Sequence, residues 1–591
     1  MNDKKVKTYG IVLGVLLFLL LAVGITYAVL AWKSSNISIL GNAECLDINY
    51  VKGNNISDEI LLFDESQIIN NNKITIKNGM GLTNVTASIK SNCTIDGYIT
   101  INLNVSSLNN TFTSSGTSNG ALKYVLASYD PSTYTTVNTT TLSNISFNIL
   151  EKGSITQTGT IKIIEDQLSN TKTNGYLLIL YIDGDLVTNY TGDNITASLE
   201  AIVTQGKTAA TFIKSLFTPN TTVTNNGITY DYDTTHNLMQ DIGGNVRYYG
   251  ASPNNYIDIG DVYESDVTKG KWEELGAPFT TEDECKSYFN CSINYSAIGF
   301  SSEDECNSQL PTIVQQQFGM TIEEFNNTYC VVETIPKGTP ILYRIIGVFG
   351  DKIKLIRNEV IGDYSWDNKD TTTGAEGNYG KNDWTDARLM KLLNPGYESE
   401  TTGGSLYYNS GSGSCYSGHN NATVSCDFTS TGLSNGVKDK IAEVTWNLGG
   451  WNDHEIYSDQ IYNYERGTKV YTGRPTTWIG KIALAYPSDY GYAADLGSCT
   501  QNLVNYDNST CTSTNWMKPI LGTSSWGWLL TPYSFSSDSN GAWLVTSSGS
   551  VSIGRRTSYA HGLAPVFYLK SEQGIESGTG TSSDPYRLSV S

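Results

Sequence analysis

YLLILYIDGDLVTNYTGDNITASLEAIVTQ, residues 176–205, holds two strand signatures side by side. In the second half Ile195, Ala197, Leu199, Ala201 and Val203 are apolar, and all but one of the residues between them are polar. A period of two places the apolar set on one face of a half-buried strand. The same alternation runs upstream, where Ile99, Ile101, Leu103 and Val105 interleave with Thr100, Asn102 and Asn104. In the first half, Asp183-Gly184 interrupts the apolar run Leu177–Val187, which is a hairpin signature. Polar loops such as Ser114–Asn119 separate the strands. Residues 35–205 therefore read as an antiparallel β-sandwich.

Upstream of this region, Lys4, Lys5 and Lys7 precede Tyr9–Trp32, 24 residues without a charge. A helix of that length reaches about 36 Å, enough to cross a bilayer core of about 30 Å. The lysines hold residues 1–8 in the cytoplasm by the positive-inside rule. Residues 9–32 are thus a transmembrane signal anchor, and the bulk of the chain is extracellular. Cleavage after Thr26-Tyr27-Ala28 is the alternative, but a cleavable h-region is usually only about 7–15 apolar residues. The expected location is the cell membrane, single-pass.

The rest of the 591-residue chain fits an exported surface protein. Charged residues make up 16%, against about 25% in ordinary soluble proteins. The 38 tyrosines and 56 glycines accompany few long helical patterns, so the class is mainly β. A net charge of −20 argues against nucleic-acid binding, which needs a basic face. Ten cysteines outside a membrane usually pair. Cys415–Cys426 and Cys499–Cys511 each bracket a short polar loop, and Cys45–Cys93 would tie in the first strand. Cys285, Cys291, Cys306 and Cys330 allow three connectivities, which stay open here.

Residues 206–262 form a connector and the first strand of a C-terminal domain. Residues 263–338 form a Cys-rich helical insertion. It carries three helix starts, Thr281-x-x-Glu284, Ser302-x-x-Glu305 and Thr321-x-x-Glu324. Residues 339–571 follow, opening with ILYRIIGVFGDKIKLIRNEVIG (341–362), a hairpin around Gly350-Asp351. NDWTDARLMKLLN (382–394) reads as an amphipathic helix with Trp384, Leu389, Leu392 and Leu393 on one side. Residues 572–591 read as a tail.

The N-terminal part resembles the camelysin/TasA-type exported β-sandwich of Gram-positive bacteria. The run ending GITYA, the segment AECLDINYVKG and residues 176–205 carry the likeness. The later segments resemble the C-type-lectin-like domains related to the formylglycine-generating-enzyme fold. There, the hairpin YRIIGVF, the stretch Trp384 to Asn394, Trp528-Leu529-x-x-Pro532, the turn at Ser548-Gly549 and Gly562 to Leu569 match the family pattern in order. Ala564 replaces the family's usual Arg. The resemblance implies an α+β lectin-like domain whose upper loops bind ligand.

Those loops span 526–560, where Trp526, Trp528, Trp543, Tyr533 and Tyr559 gather. Aromatic faces with polar tips dominate recognition surfaces, but they also fill small β cores. Trp528 and Trp543 read as core. Tyr533, Arg555 and Tyr559 read as the ligand-binding residues. Trp451-Asn452-Asp453 spells a tripeptide used by calcium-dependent lectins, yet no partner motif accompanies it. Gly-x-Ser-x-Gly at Gly116–Gly120 and Gly432–Gly436 lacks the strand and helix of a nucleophile elbow. The histidines at 236, 419, 454 and 561 are scattered. No catalytic residue, metal ligand set or cofactor is expected. The expected function is an adhesin-like surface protein that binds an extracellular protein or glycan on host or neighbouring cells. A subunit of a surface matrix or fibre is the rival reading, and an enzyme of unknown reaction is the third.

Overall fold

The alternating segment 97–107 forms an 11-residue strand, and Ile99, Ile101, Leu103 and Val105 all bury into one core. The computed structural model describes residues 28–32, 37–40, 59–88, 97–168, 173–187, 195–205, 207–272, 279, 281–398, 402–523, 526–534 and 538–588. They divide into two units. One holds the residues up to Thr211 with Gly574–Glu576; the other holds Phe212–Gln573 with Ser577–Leu588.

In the first unit the strands used below are β1 (Ala28–Trp32), β2 (Gly97–Ser107), β3 (Leu122–Tyr129), β4 (Asn174–Asp183) and β5 (Ile195–Gln205). One sheet runs Gly159–Leu168, β2, β5, β1, Glu59–Ile60, with Ile37–Leu40 also on β5. A second sheet is built around β4 and β3. Ile101 and Leu199 from the first sheet meet Leu126 and Leu178 from the second in one shared core. The ladders are mostly antiparallel, but β1 and Ile37–Leu40 lie parallel to β5, so the first sheet is mixed rather than purely antiparallel.

Two expectations are corrected in this unit. Asp183-Gly184 does not turn a hairpin. Tyr176, Leu178, Leu180 and Ile182 face the shared core, while Leu177, Ile179 and Tyr181 face a second core on the other side of the same sheet. A strand buried on both faces needs an unbroken apolar run, which periodicity alone does not distinguish from other buried segments. Asp183 then accepts a hydrogen bond from Asp185 N at the start of a 3-10 turn, and β5 lies in the other sheet.

The second correction concerns the membrane span. Its last five residues, Ala28–Trp32, are the strand β1, whose backbone pairs with both β5 and Glu59–Ile60. Residues 1–8 and 9–27 lie outside the described residues. Among the described residues no helix is long and apolar enough to cross a membrane. The Cys45–Cys93 pair also lies outside them.

In the second unit the labelled strands are β6 (Tyr343–Phe349), β7 (Lys352–Arg357), β8 (Asp363–Ser365), β9 (Ser412–Tyr416), β10 (Thr423–Asp427), β11 (Gly527–Pro532), β12 (Gly541–Val545), β13 (Val551–Arg556) and β14 (Ala560–Gly562). β6 and β7 form the expected hairpin, and Gly350 supplies its left-handed turn at φ +63°. They sit in an 11-stranded sheet. Residues 206–262 contribute five strands rather than one: Thr221–Asn225, Ile228–Asp233, Leu238–Gln240 and Val246–Tyr248 lead to one end of β6, and Tyr256–Asp258 pairs with its other end. The supposed tail is structural as well, because Tyr586–Leu588 lies parallel to Tyr256–Asp258. Only three residues of that strand pattern are visible between Gly/Ser-rich turns, too few for a sequence signature.

The predicted helix 382–394 shrinks to Arg388–Leu393, α4 in the numbering used here. Asp383 caps a preceding turn through Thr385 N and Oγ1. Arg388, Leu389, Met390, Leu392 and Leu393 are all buried, so the helix is enclosed rather than amphipathic.

The insertion forms three helices where the caps predict them: α1 (Glu282–Tyr288), α2 (Glu303–Phe318) and α3 (Ile322–Tyr329). Thr281, Ser302 and Thr321 each accept a bond from the backbone N–H three residues on. Only Thr321 completes the reciprocal box, with Glu324 Oε2 2.7 Å from its N–H. Cys285–Cys330 and Cys291–Cys306 settle the open connectivity. Cys415–Cys426 and Cys499–Cys511 pair as expected. These four bridges place the protein in an oxidising, extracellular type of environment.

Candidate functional site

The closing segment folds into a five-stranded sheet in the order β8, β14, β11, β12, β13. Trp528 and Trp543 are buried within it, and Trp528 Nε1 donates to Tyr364 O at 2.9 Å. Both are core residues, as read from the sequence.

Beside this sheet stands the hairpin β9–β10, cross-linked by Cys415–Cys426. Its tip is clamped down. Ser417 Oγ donates to Asp363 O, Ser365 Oγ to Gly418 O, and Asn368 Nδ2 to Ala422 O, all at 3.0–3.1 Å. The Arg388 guanidinium donates to Asn368 and Asn421 and lies 3.4 Å from the Tyr416 ring centre. Asn420 and Asn421 take left-handed backbone, which Asn tolerates better than most residues. This scaffold presents His419, exposed, edge-on to Tyr559 at 4.6 Å.

From there a strip of side chains continues across the sheet. Tyr559 lies 6.3 Å from His561, and His561 stacks on Trp526 at 5.4 Å with 20° between planes. Arg555 sits over the Trp526 ring at 5.0 Å. Arg555 is exposed; Trp526, Tyr559 and His561 are half-buried. Next to Arg555, exposed Arg556 lies 3.7 Å from the Tyr379 ring centre.

Trp526 holds this arrangement under strain. Its φ of +61° is left-handed, which costs a bulky residue on the order of 1–3 kcal/mol. Gly562 makes the conformation possible. Its N–H donates to Trp526 O at 2.8 Å, and a Cβ at 562 would stand 2.6 Å from that oxygen.

The structure thus brings together two of the three predicted ligand residues, Arg555 and Tyr559. It does not place Tyr533 with them. Tyr533 follows β11 at its far end, with its ring beside Gly554. Burial, then the Asp538 and Asp453 carboxylates, push its hydroxyl pKa up. Its neighbours form a second aromatic patch: a backbone bridge joins it to Trp451, which stacks on Tyr464 at 3.6 Å beneath Lys469. The two-residue slip in β11 between Trp528 and Pro532 separates the ends of this strand, and the sequence carries no mark of it. His419 and His561 were read only as scattered histidines. The sole hint was that His419 lies inside the Cys415–Cys426 loop.

Other chemistry-bearing groups are engaged structurally. Arg247, Asp241, Asp489 and Lys354 form a fully buried ion network, with Arg247 2.7 Å from Asp489 and 2.5 Å from Asp241, and Lys354 in contact with Asp489. Glu465, also buried, accepts from Ser488 N and Oγ; burial pushes its pKa up to about 7 despite Arg466. Glu359 lines two clefts of about 320 and 350 Å³. Burial would raise its pKa, but Arg357 and Lys269 hold it at about 2. Ser118 and Ser434 of the two Gly-x-Ser-x-Gly strings are buried. Asp453 accepts from Glu455 N in a local turn. Among the described residues no group of three or more His, Cys, Asp or Glu is placed to hold a metal ion.

Neither a protein-family model nor a curated protein matches this chain. Fold and site define a class directly: a mainly β, disulfide-bonded protein of an extracellular kind. What it binds is argued from the strip.

Proposed function

We propose that this is a membrane-anchored surface protein, adhesin-like, whose lectin-like unit binds an extracellular ligand through the Arg555–Trp526–His561–Tyr559–His419 strip. The observation that carries this reading is the strained, half-exposed Trp526 braced between Arg555 and His561. Backbone strain of this kind persists where the surroundings over-determine it, and it concentrates at binding sites. A disulfide-pinned hairpin supplies one wall, so the site is pre-organised and little ordering entropy is lost on binding. The uncharged run Tyr9–Tyr27 ahead of β1 and the likeness to exported sandwiches support surface display. The detergent-solubilised chain is expected to capture a ligand on a glycan array or in a pull-down of extracellular proteins. An Arg555→Ala/Tyr559→Ala variant should lose it. No capture above background in either format would overturn the reading.

The fibre-subunit reading retains one specific support. Gly159–Leu168 is a ten-residue edge strand, and such edges pair between subunits. Electron microscopy of the purified protein decides it: filaments favour the rival, and dispersed monomers sink it.

A further inference from the structure

Building on the binding role proposed above, we infer that the strip's ligand is an acidic saccharide, a glycan whose rings carry carboxylate or sulfate. The inference starts from the arginines. The chain has nine. Arg247, Arg357, Arg466, Arg474 and Arg587 each pair with a carboxylate. Arg344 and Arg388 are buried against amide and carbonyl oxygens. Arg555 and Arg556 differ from all of these. Both are exposed and neither has a carboxylate partner among the described residues; Arg555 donates to Ser552 Oγ at 3.3 Å, and both rest on aromatic rings.

This is a departure for the chain. Acidic side chains outnumber basic ones by 58 to 38, so a fixed cation would ordinarily find a carboxylate nearby. Consecutive side chains of β13 project to opposite faces, so it is the Arg555 fork, left open on the Trp526 ring, that stands on the strip and suits a planar, bidentate acceptor. Trp526 Nε1, the Tyr559 hydroxyl and His419 add further donors along the same strip. A donor-rich, ring-lined surface complements a ligand with many acceptors and flat apolar faces, which describes a charged sugar. The net charge of −20 repels polyanions from the protein as a whole, so an acidic ligand must be held by local donors. Single-stranded DNA carries a comparable density of charge without pyranose ring faces, so it separates saccharide recognition from charge alone.

The test measures Kd of the detergent-solubilised full chain for four immobilised probes: an oligogalacturonate, a heparin oligosaccharide, a neutral dextran oligosaccharide and a single-stranded DNA. Binding to at least one acidic saccharide is expected, weakening with salt, with dextran and DNA at least about tenfold weaker. Arg555→Gln/Arg556→Gln should lose at least about tenfold in affinity while its tryptophan fluorescence stays native. Dextran or DNA bound as tightly, or undiminished affinity in the double variant, would overturn the assignment. Its failure is separable from that of the binding role. If a neutral glycan or a protein is captured and Tyr559→Ala abolishes that capture, the acidic class is wrong and the surface-binding role stands. If no ligand of any class is captured, both fall.

Discussion

Asp489 is the residue on which the second unit's interior charges converge. It accepts from Arg247, from Lys354 and from Tyr486 N, and it is only 1% exposed. Replacing it by Asn should cost about 3–5 kcal/mol, because buried Lys354 loses its carboxylate partner and Arg247 keeps only Asp241. Denaturant unfolding followed by tryptophan fluorescence measures this, and a cost under 1 kcal/mol would contradict the network. Trp528→Ala should be as damaging, about 3–5 kcal/mol, as a core truncation. Arg555→Ala should stay within about 0.5 kcal/mol of the parent, as exposed changes usually do. At this scale the sequence was informative about the burial of Trp528 and Trp543, because apolar alternation marks core positions; Arg555 is exposed but lies in β13 instead of a loop, and Tyr559 is half-buried. The sequence was silent on His419 and Trp526. Their roles depend on a clamp between residues 33 to 54 positions apart and on one backbone angle, and neither leaves a local pattern.

The hairpin β9–β10 shows what one cross-link does for an element with no apolar core of its own. Its strands pair only with each other, and Ser412, Gly413, Ser414, Thr423, Val424 and Ser425 are exposed. Closing a loop with a separation of 11 removes about 3 kcal/mol of unfolded-state entropy. Cys415→Ser/Cys426→Ser should therefore lower stability by up to about 3 kcal/mol and weaken ligand binding by freeing His419. Calorimetry and the binding assay together check this; unchanged affinity would show that the tip's hydrogen bonds suffice. Elements with local punctuation were the legible ones: three capped helices, the Gly350-Asp351 hairpin and two short-loop disulfides. β4 was misread because burial on both faces erases the period of two. The short strands between Thr221 and Asp258 were missed because their partners lie far along the chain.

For the whole second unit, the ionisable groups set a stability optimum on the acid side of neutral. Glu465 keeps its proton up to about pH 7 when folded, whereas an ordinary glutamate releases it near 4.5. The folded state then binds the extra proton between those values, so stability falls as pH rises through that window. Glu359 and Asp489 act in the opposite sense. Held at about 2, they stabilise the fold above pH 4.5, and that contribution is lost as pH falls towards 2. The thermal midpoint should therefore peak near about pH 5, and Glu465→Gln should flatten the decline on the neutral side. Ten of the eleven tryptophans lie at or beyond Trp272, so their fluorescence reports this unit. A midpoint that climbs steadily from pH 5 to 8 would refute the buried, protonated Glu465. Truncation after Gln573 should also destabilise the unit, since it removes Tyr586–Leu588; an unchanged midpoint would show that this strand is dispensable.

The parallel seating of β1 on β5 carries a consequence for biogenesis. Leu30 pairs with Ile195, a separation of 165 residues (195 − 30). During export the N-terminal strand emerges first and its mate arrives only after most of that unit has been threaded. Over that interval β5's neighbour waits as an open edge, vulnerable to pairing with other chains, and slow non-local closure becomes the last folding event. The second unit faces a longer delay, with Tyr586 meeting Ile257 across a separation of 329 residues (586 − 257). A protein assembled in this order depends on whatever keeps nascent chains apart at the translocation exit. Crowding there, more than any weakness of the finished fold, would limit how much reaches the native state.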